Sequence, residues 1–355
     1  MDRQFYIDMA ESGLRMPVGT HLVLHEKKHP ASIVVNGEAL GRVMEETAER
    51  FNTPLAIPVM DLTIEKESIL SHRGIAEKDI PTYHFTELPS PMKITDDVLL
   101  SHPRFAANLG ALRYISMNTK LVPVGMCIGP FSLTTKLLAD PIIPIYLAGS
   151  GMTGKDSDEV KLLDAALALA KAAVLASVKL QVAAGAKAIF LCEPAANLVY
   201  FSPNQLSGAR DAFDRYVIEP NLEVREALRK GGCDLIFHDC GELVPAMVKK
   251  FAVLDPAIMS FGSPVKLWEM EPFVPKSTVI FGNLPSKKFY SDAEASVEKV
   301  VALTQEIIAR MTPTGHPFIV GTECDVLSMD GFVDIIRSKV DAFMSCDAEA
   351  GEKTA

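Results

Sequence analysis

Short apolar runs alternate with amphipathic stretches along most of this chain. Residues 20–24, 55–60, 121–128, 188–192, 235–238, 257–261, 278–281 and 318–321 are apolar nearly throughout, as parallel strands covered on both faces should be. Helical stripes lie between them. Residues 37–51 place Leu40, Val43, Met44 and Ala48 on one side, and residues 157–184 form a long Ala-rich segment. Asp156, Ser157 and Asp158 are N-cap candidates for that segment, and Gly185 stands near its end. Residues 213–230 continue the pattern and stop at Gly231-Gly232. The clearest amphipathic stretch is 293–310, with Val297, Val300, Val301, Leu303 and Ile307 inward, and 328–344 closes the series.

Eight strand–helix alternations predict an α/β fold with a parallel sheet closed as a (β/α)8 TIM barrel; an open doubly wound sheet is the alternative. The barrel is expected to be a single domain over residues 1–345, with an N-terminal extension. Residues 68–120, broken by Pro81, Pro89 and Pro91, predict an elaborated loop region with helices after the second strand. Residues 346–355 are small and polar and read as a disordered tail.

Composition narrows the function. A chain of 355 residues with 48% hydrophobic content can build a large core. The net charge of −10 argues against nucleic acid and against an anionic membrane surface as partners. Met1-Asp2-Arg3-Gln4-Phe5 offers no apolar signal core, and Lys, Asp or Gly breaks each long apolar stretch. No membrane-spanning helix is expected, and a cytoplasmic location, where thiols stay reduced, is.

The chemistry concentrates where two apolar runs end. Phe237-His238-Asp239-Cys240-Gly241 sends one imidazole and one thiol to the same side of a strand, two residues apart. Cys324, in Gly321-Thr322-Glu323-Cys324-Asp325, follows 84 residues later. Two sulfurs and one nitrogen suit a borderline-soft ion such as zinc, and three protein ligands leave a fourth position open. Barrel strands converge on one mouth at their C-terminal ends, so distant residues can share an ion there. Cys127, Cys192, Cys233 and Cys346 read as core filling or nothing in particular. His21 and His25 are four apart in a segment that reads as a strand, too far apart for one ion, so they read as structural or substrate-contact residues. His29, His72, His84, His102 and His316 read as ordinary loop or surface residues. Gly149-Ser150-Gly151-Met152-Thr153-Gly154-Lys155 mimics a phosphate loop, but Asp156 stands where Ser or Thr is required.

Five motifs in order resemble the uroporphyrinogen decarboxylase superfamily. They are Gly129-Pro130-Phe131-Ser132-Leu133, Glu193-Pro194, Phe201-Ser202-Pro203, His238-Asp239-Cys240-Gly241 and Gly282-Asn283-Leu284. The resemblance runs from about residue 33 to residue 344. One branch of that superfamily, the metal-independent decarboxylases, grips a propionate-rich tetrapyrrole with an Arg-Gln-Ala-Gly-Arg motif. Here the corresponding stretch is Arg15-Met16-Pro17-Val18-Gly19-Thr20-His21-Leu22, without paired arginines. The other branch, the cobalamin-dependent (methylcobalamin:coenzyme M-like) methyltransferases, carries zinc on H-x-C and a distant Cys. His238, Cys240 and Cys324 fit that pattern.

The resemblance therefore implies a corrinoid-dependent zinc methyltransferase. It would move a methyl group between a corrinoid (protein-bound cobalamin) and a small donor or acceptor such as a thiol coenzyme, a methylamine or a methoxylated compound. The corrinoid is expected on a partner protein, because the chain has no D-x-H-x-x-G signature. A homodimer is compatible with the reading. Glu193 is expected at the mouth, as a fourth ligand or a base against a solvated carboxylate. Asp61 falls where superfamily members place an acid in the cleft. Asn283 is expected to hydrogen-bond in the mouth toward the cofactor, or to cap a turn. Asp239 and Glu323 are expected to point away from the ion, into surface salt bridges or, as the alternative, into supporting bonds behind the ligands. The last motif lacks the Gly-Cys arrangement commoner in coenzyme M enzymes, so the methyl donor or acceptor is not fixed. A metal-independent decarboxylase and a non-catalytic barrel that binds a corrinoid protein are the alternatives.

Overall fold

In the computed structural model, which describes residues 1–206 and 212–347, eight parallel strands form one curled sheet. They are β1 (Arg15–Val18), β2 (Leu55–Ala56), β3 (Val122–Ile128), β4 (Ala188–Cys192), β5 (Asp234–Asp239), β6 (Ile258–Phe261), β7 (Val279–Leu284) and β8 (Phe318–Asp325). Their order is β1-β8-β7-β6-β5-β4-β3-β2, so the first strand pairs with the last. This is the (β/α)8 arrangement, and it excludes the open doubly wound alternative. No ladder joins β1 to β2 among the described residues. The seam is bridged by side chains instead. Thr20 Oγ1 donates to the Ile57 carbonyl, Thr53 Oγ1 donates to Met16 Sδ at 3.0 Å, and Asp325 Oδ2 accepts from Met60 N at 2.9 Å.

Alternation along the strands divides two cores. Val18, Val124, Phe190, Ile236, Phe281 and Ile319 fill the barrel interior. A larger layer, with Ile189, Leu191, Leu235, Phe237 and Ile280 among its residues, packs under the helices. The helix Arg3–Glu11 plugs the N-terminal end. Its Tyr6 and Met9 join the interior core, and Tyr6 Oη donates to Asp234 Oδ2 at 2.9 Å. The interior is therefore approached from the C-terminal ends of the strands.

Several boundaries differ from expectation for identifiable reasons. The run 20–24 is not a strand. Arg15–Val18 forms the ladder with β8, and Thr20–His25 is a short helix that buries Thr20, Leu22, Val23 and Leu24. A short apolar run carries no period of its own, and pairing decided the outcome. His21 and His25 consequently sit one turn apart with stacked rings, centroids 4.3 Å apart. β2 stops at Ala56, two residues before Pro58, which has no N–H to give a ladder. β7 and β8 run three and four residues longer than their apolar cores, carrying Asn283 and Cys324 inside strands.

The long helix Asp158–Ala183, capped by Ser157 Oγ on Val160 N, is long and apolar enough to cross a membrane. Half of its most apolar window is buried in the fold. Residues 348–355 of the expected tail lie outside the described residues. At its start, Arg15 Nη1 donates to the carbonyls of Phe343 and Cys346 at 2.7 and 2.6 Å.

Candidate metal centre

His238 and Ser260 are register partners on β5 and β6, so their side chains stand together. Ser260 Oγ lies 2.9 Å from His238 Nδ1. That bond fixes the ring and leaves Nε2, which is buried and has no partner. Phe190 on β4 packs against the same ring, centroids 5.5 Å apart. Cys240 follows two residues on, at the end of β5. Cys324 arrives from β8, on the opposite alternation from Asp325. One ligand atom from each of His238, Cys240 and Cys324 lies within 4.8 Å of the others.

The two sulfurs are driven in opposite directions. Cys240 is pushed down to about 3, first by the neighbouring Cys324 and then by His238 and Lys287. Cys324 is pushed up, by its neighbour Cys240 and by burial. A buried imidazole nitrogen without a partner and two sulfurs, all within 4.8 Å of one another, form a donor set fitted to a cation. Soft sulfur with imidazole, three protein ligands in all, is the composition of an open zinc site.

Residues not read from the sequence surround the cluster. Lys287, on the turn Ser286–Lys288 after β7, places Nζ 3.3 Å from Cys240 Sγ. Partial burial works against its charge, but Cys240, Cys324 and Glu323 raise its pKa above the ordinary lysine value. Met60 Sδ lies 3.3 Å from Cys324 Sγ. Gly262 passes so close to Cys240 that a Cβ there would meet the Cys240 carbonyl oxygen at 2.3 Å. Ser260 could have been found from the strand register. Lys287 belongs to a turn whose path carries no sequence period, and Met60 ends the run 55–60, which is a strand only over Leu55–Ala56.

The remaining candidates stand elsewhere or are already engaged. Glu193 is fully buried, which excludes a solvated carboxylate. Its oxygens accept from Phe131 N at 3.1 Å, Ser132 N at 2.7 Å and Asn221 Nδ2 at 2.8 Å. It thus closes the N-terminus of the helix Pro130–Leu137, and burial raises its pKa against those bonds. Asp61 ion-pairs with Arg104, which also holds Glu67, while His102 Nε2 lies 3.1 Å from Glu67 Oε2. Asn283 Nδ2 donates to the carbonyls of Gly262 and Val265, tying β7 to the loop after β6. Asp239 and Glu323 are buried, so neither makes the expected surface salt bridge. Asp239 Oδ1 accepts from Gly241 N at 2.7 Å, and Glu323 Oε2 accepts from Ser263 N at 3.0 Å. Both point off the cluster but fasten the loops beside it. His316 is also buried, between Glu271 and the Thr278 carbonyl. Burial pushes His21 down to about 4, helped by His25, and its Nδ1 accepts from Ser328 N at 2.9 Å. Cys127, Cys192 and Cys233 are buried and free, as expected of core cysteines, and Cys346 is half-buried.

A family model described as uroporphyrinogen decarboxylase (URO-D) matches residues 23–337. Among solved structures, the chain is similar to a methyltransferase from Methanosarcina mazei, with a TM-score of 0.66 and 16% identity. That match covers 93% of this chain and 91% of the other. A comparison with curated proteins finds no match.

Proposed function

Because the chain belongs to the uroporphyrinogen decarboxylase family and gathers His238, Cys240 and Cys324 within 4.8 Å, we propose that it is a zinc-dependent methyltransferase. It exchanges a methyl group between a corrinoid carried on a partner protein and a small thiol, amine or methoxylated compound. The observation that carries this reading is the cluster itself, above all the buried, unpartnered Nε2 of His238 beside two sulfurs. The likeness in fold to a methyltransferase supports it. Bound there, zinc would act as a Lewis acid on the heteroatom that accepts or releases the methyl group.

The chain's own residues prepare that chemistry. Ser260 holds His238 at Nδ1, so Nε2 is presented at a fixed angle. Cys240 and Cys324 would hold the ion as thiolates. The Lys287 ammonium offsets the charge of the two thiolates. With three protein ligands, one position remains for the substrate heteroatom. The plugged N-terminal end leaves the barrel mouth as the side from which both substrate and carrier approach.

The decarboxylase alternative needs cations at the mouth to hold several carboxylates. Arg15, the arginine of the stretch where that branch carries its pair, is bonded at the other end of the barrel to Phe343 and Cys346. Elemental analysis of the purified protein should find about one zinc per chain. Cys240→Ser and Cys324→Ser should each lose the metal together with methyl transfer, assayed with free cob(I)alamin against a panel of methylated thiols, amines and aryl ethers. Full activity in metal-free protein would overturn the proposal.

A further inference from the structure

The two candidate sulfur ligands are not equivalent, and the difference points beyond metal binding. Cys240 Sγ faces the Lys287 ammonium at 3.3 Å, whereas Cys324 Sγ faces the Met60 thioether at 3.3 Å. The turn that carries Lys287 is fastened without its side chain. Ser286 Oγ donates to the Cys324 carbonyl at 3.1 Å, and Lys287 N donates to Glu323 Oε1 at 3.4 Å. Glu323 in turn holds Ser263 N through its other oxygen at 3.0 Å. The ammonium is therefore delivered to one sulfur by a frame that does not depend on it.

A thiolate is a nucleophile in its own right. In a site that handles methyl groups, a ligand sulfur competes with the substrate for the methyl it should pass on. A methylated ligand becomes a neutral thioether, and the site is lost. We propose that Lys287 protects Cys240 from this self-alkylation, a role that rests on the metal-thiolate reading above. Its N–H bond to Sγ is charge-assisted. It draws electron density from the sulfur lone pair and occupies one direction of approach. Lys287 acts through the sulfur, as a positioning and tuning residue. Cys324 has no such bond from Lys287, and the Met60 thioether lies against it instead.

The test compares zinc-loaded wild type, Lys287→Met and Lys287→Arg, with zinc content measured in each sample. Each is treated with iodomethane, so that a ligand sulfur forms an S–C bond and iodide leaves with its electron pair. Peptide mass spectrometry then gives the rate at each cysteine. In Lys287→Met the rate at Cys240 should rise roughly tenfold, the scale of one hydrogen bond to a charged group. The rate at Cys324 should hold, and Lys287→Arg should stay near wild type. In the cobalt(II)-substituted proteins, the sulfur-to-metal charge-transfer band should move to longer wavelength in Lys287→Met and not in Lys287→Arg. Equal rates and an unmoved band in metal-loaded wild type and Lys287→Met would overturn the protective role while leaving the metal site standing. Wild-type protein that takes up no zinc or cobalt would overturn the metal reading, and this role with it.

Discussion

Glu65 carries a charge problem that its sequence position conceals. It lies on the helix Ile64–His72, fully buried, with Oε1 accepting from Ser177 Oγ at 2.9 Å and Oε2 unpartnered. Burial pushes its carboxyl up from 4.5 to about 7. A carboxyl raised by folding contributes its full stability below its unfolded value, and loses it as the pH rises through the folded value. Glu65→Gln keeps the bond from Ser177 and cannot ionise. Urea melts should show little difference between the two proteins near pH 4. By pH 8 the variant should be the more stable, by up to about 3 kcal/mol; an equal gap at both values would count against a buried, ionising Glu65. Legibility at this scale followed chemistry. His238, Cys240 and Cys324 could be singled out because few residue types hold a soft ion. Ser260 and Lys287 are common types whose importance comes only from the neighbours the fold gives them. Asp239, Glu323 and His316 read as surface residues for one reason: a polar side chain reads as exposed until the structure shows the partners that pay for its burial.

Among the elements, the strands were the most legible, because parallel strands covered on both faces are written as continuous apolar runs. β4 begins and ends where its run does. The failure at Thr20–His25 came from the same rule, since a five-residue apolar run serves equally as a short strand or as a buried turn of helix. Glu193 shows how an element can depend on a distant residue. The helix Pro130–Leu137 has no side-chain cap of its own, and Glu193 from the end of β4 receives its first two free N–H groups. Gly129 is required for that approach, as a Cβ there would meet the Glu193 carboxyl carbon at 2.1 Å. Glu193→Ala would leave Phe131 N and Ser132 N buried without their acceptor, while Asn221 Nδ2 keeps only the Val217 carbonyl. The expected cost is about 3 kcal/mol or more, since each buried donor left unsatisfied costs roughly 1–3 kcal/mol. Chemical denaturation would measure it. A loss under about 1 kcal/mol would mean that water replaces the carboxylate.

At the scale of the whole molecule, the barrel and its direction were legible from eight alternations, but its seam was not. Nothing in a run of apolar residues says that β2 will hold only two residues, or that the loop after it will be hung from Asp325. Because β1 and β2 share no ladder, the main-chain amides on the β2 side of the seam should exchange with solvent sooner than those of β4 and β5. Asp325→Ala should speed exchange further at Met60, whose N–H it releases. Hydrogen exchange read by mass spectrometry checks both, and uniform protection around the ring would refute them. Seven joints of this hoop are laced by main-chain rungs, while the eighth is clasped by three side chains. Its girth can change at that clasp without unlacing any other joint. The clasp nearest the rim holds Met60 beside Cys324, so any widening of the ring would begin next to one of the two sulfurs.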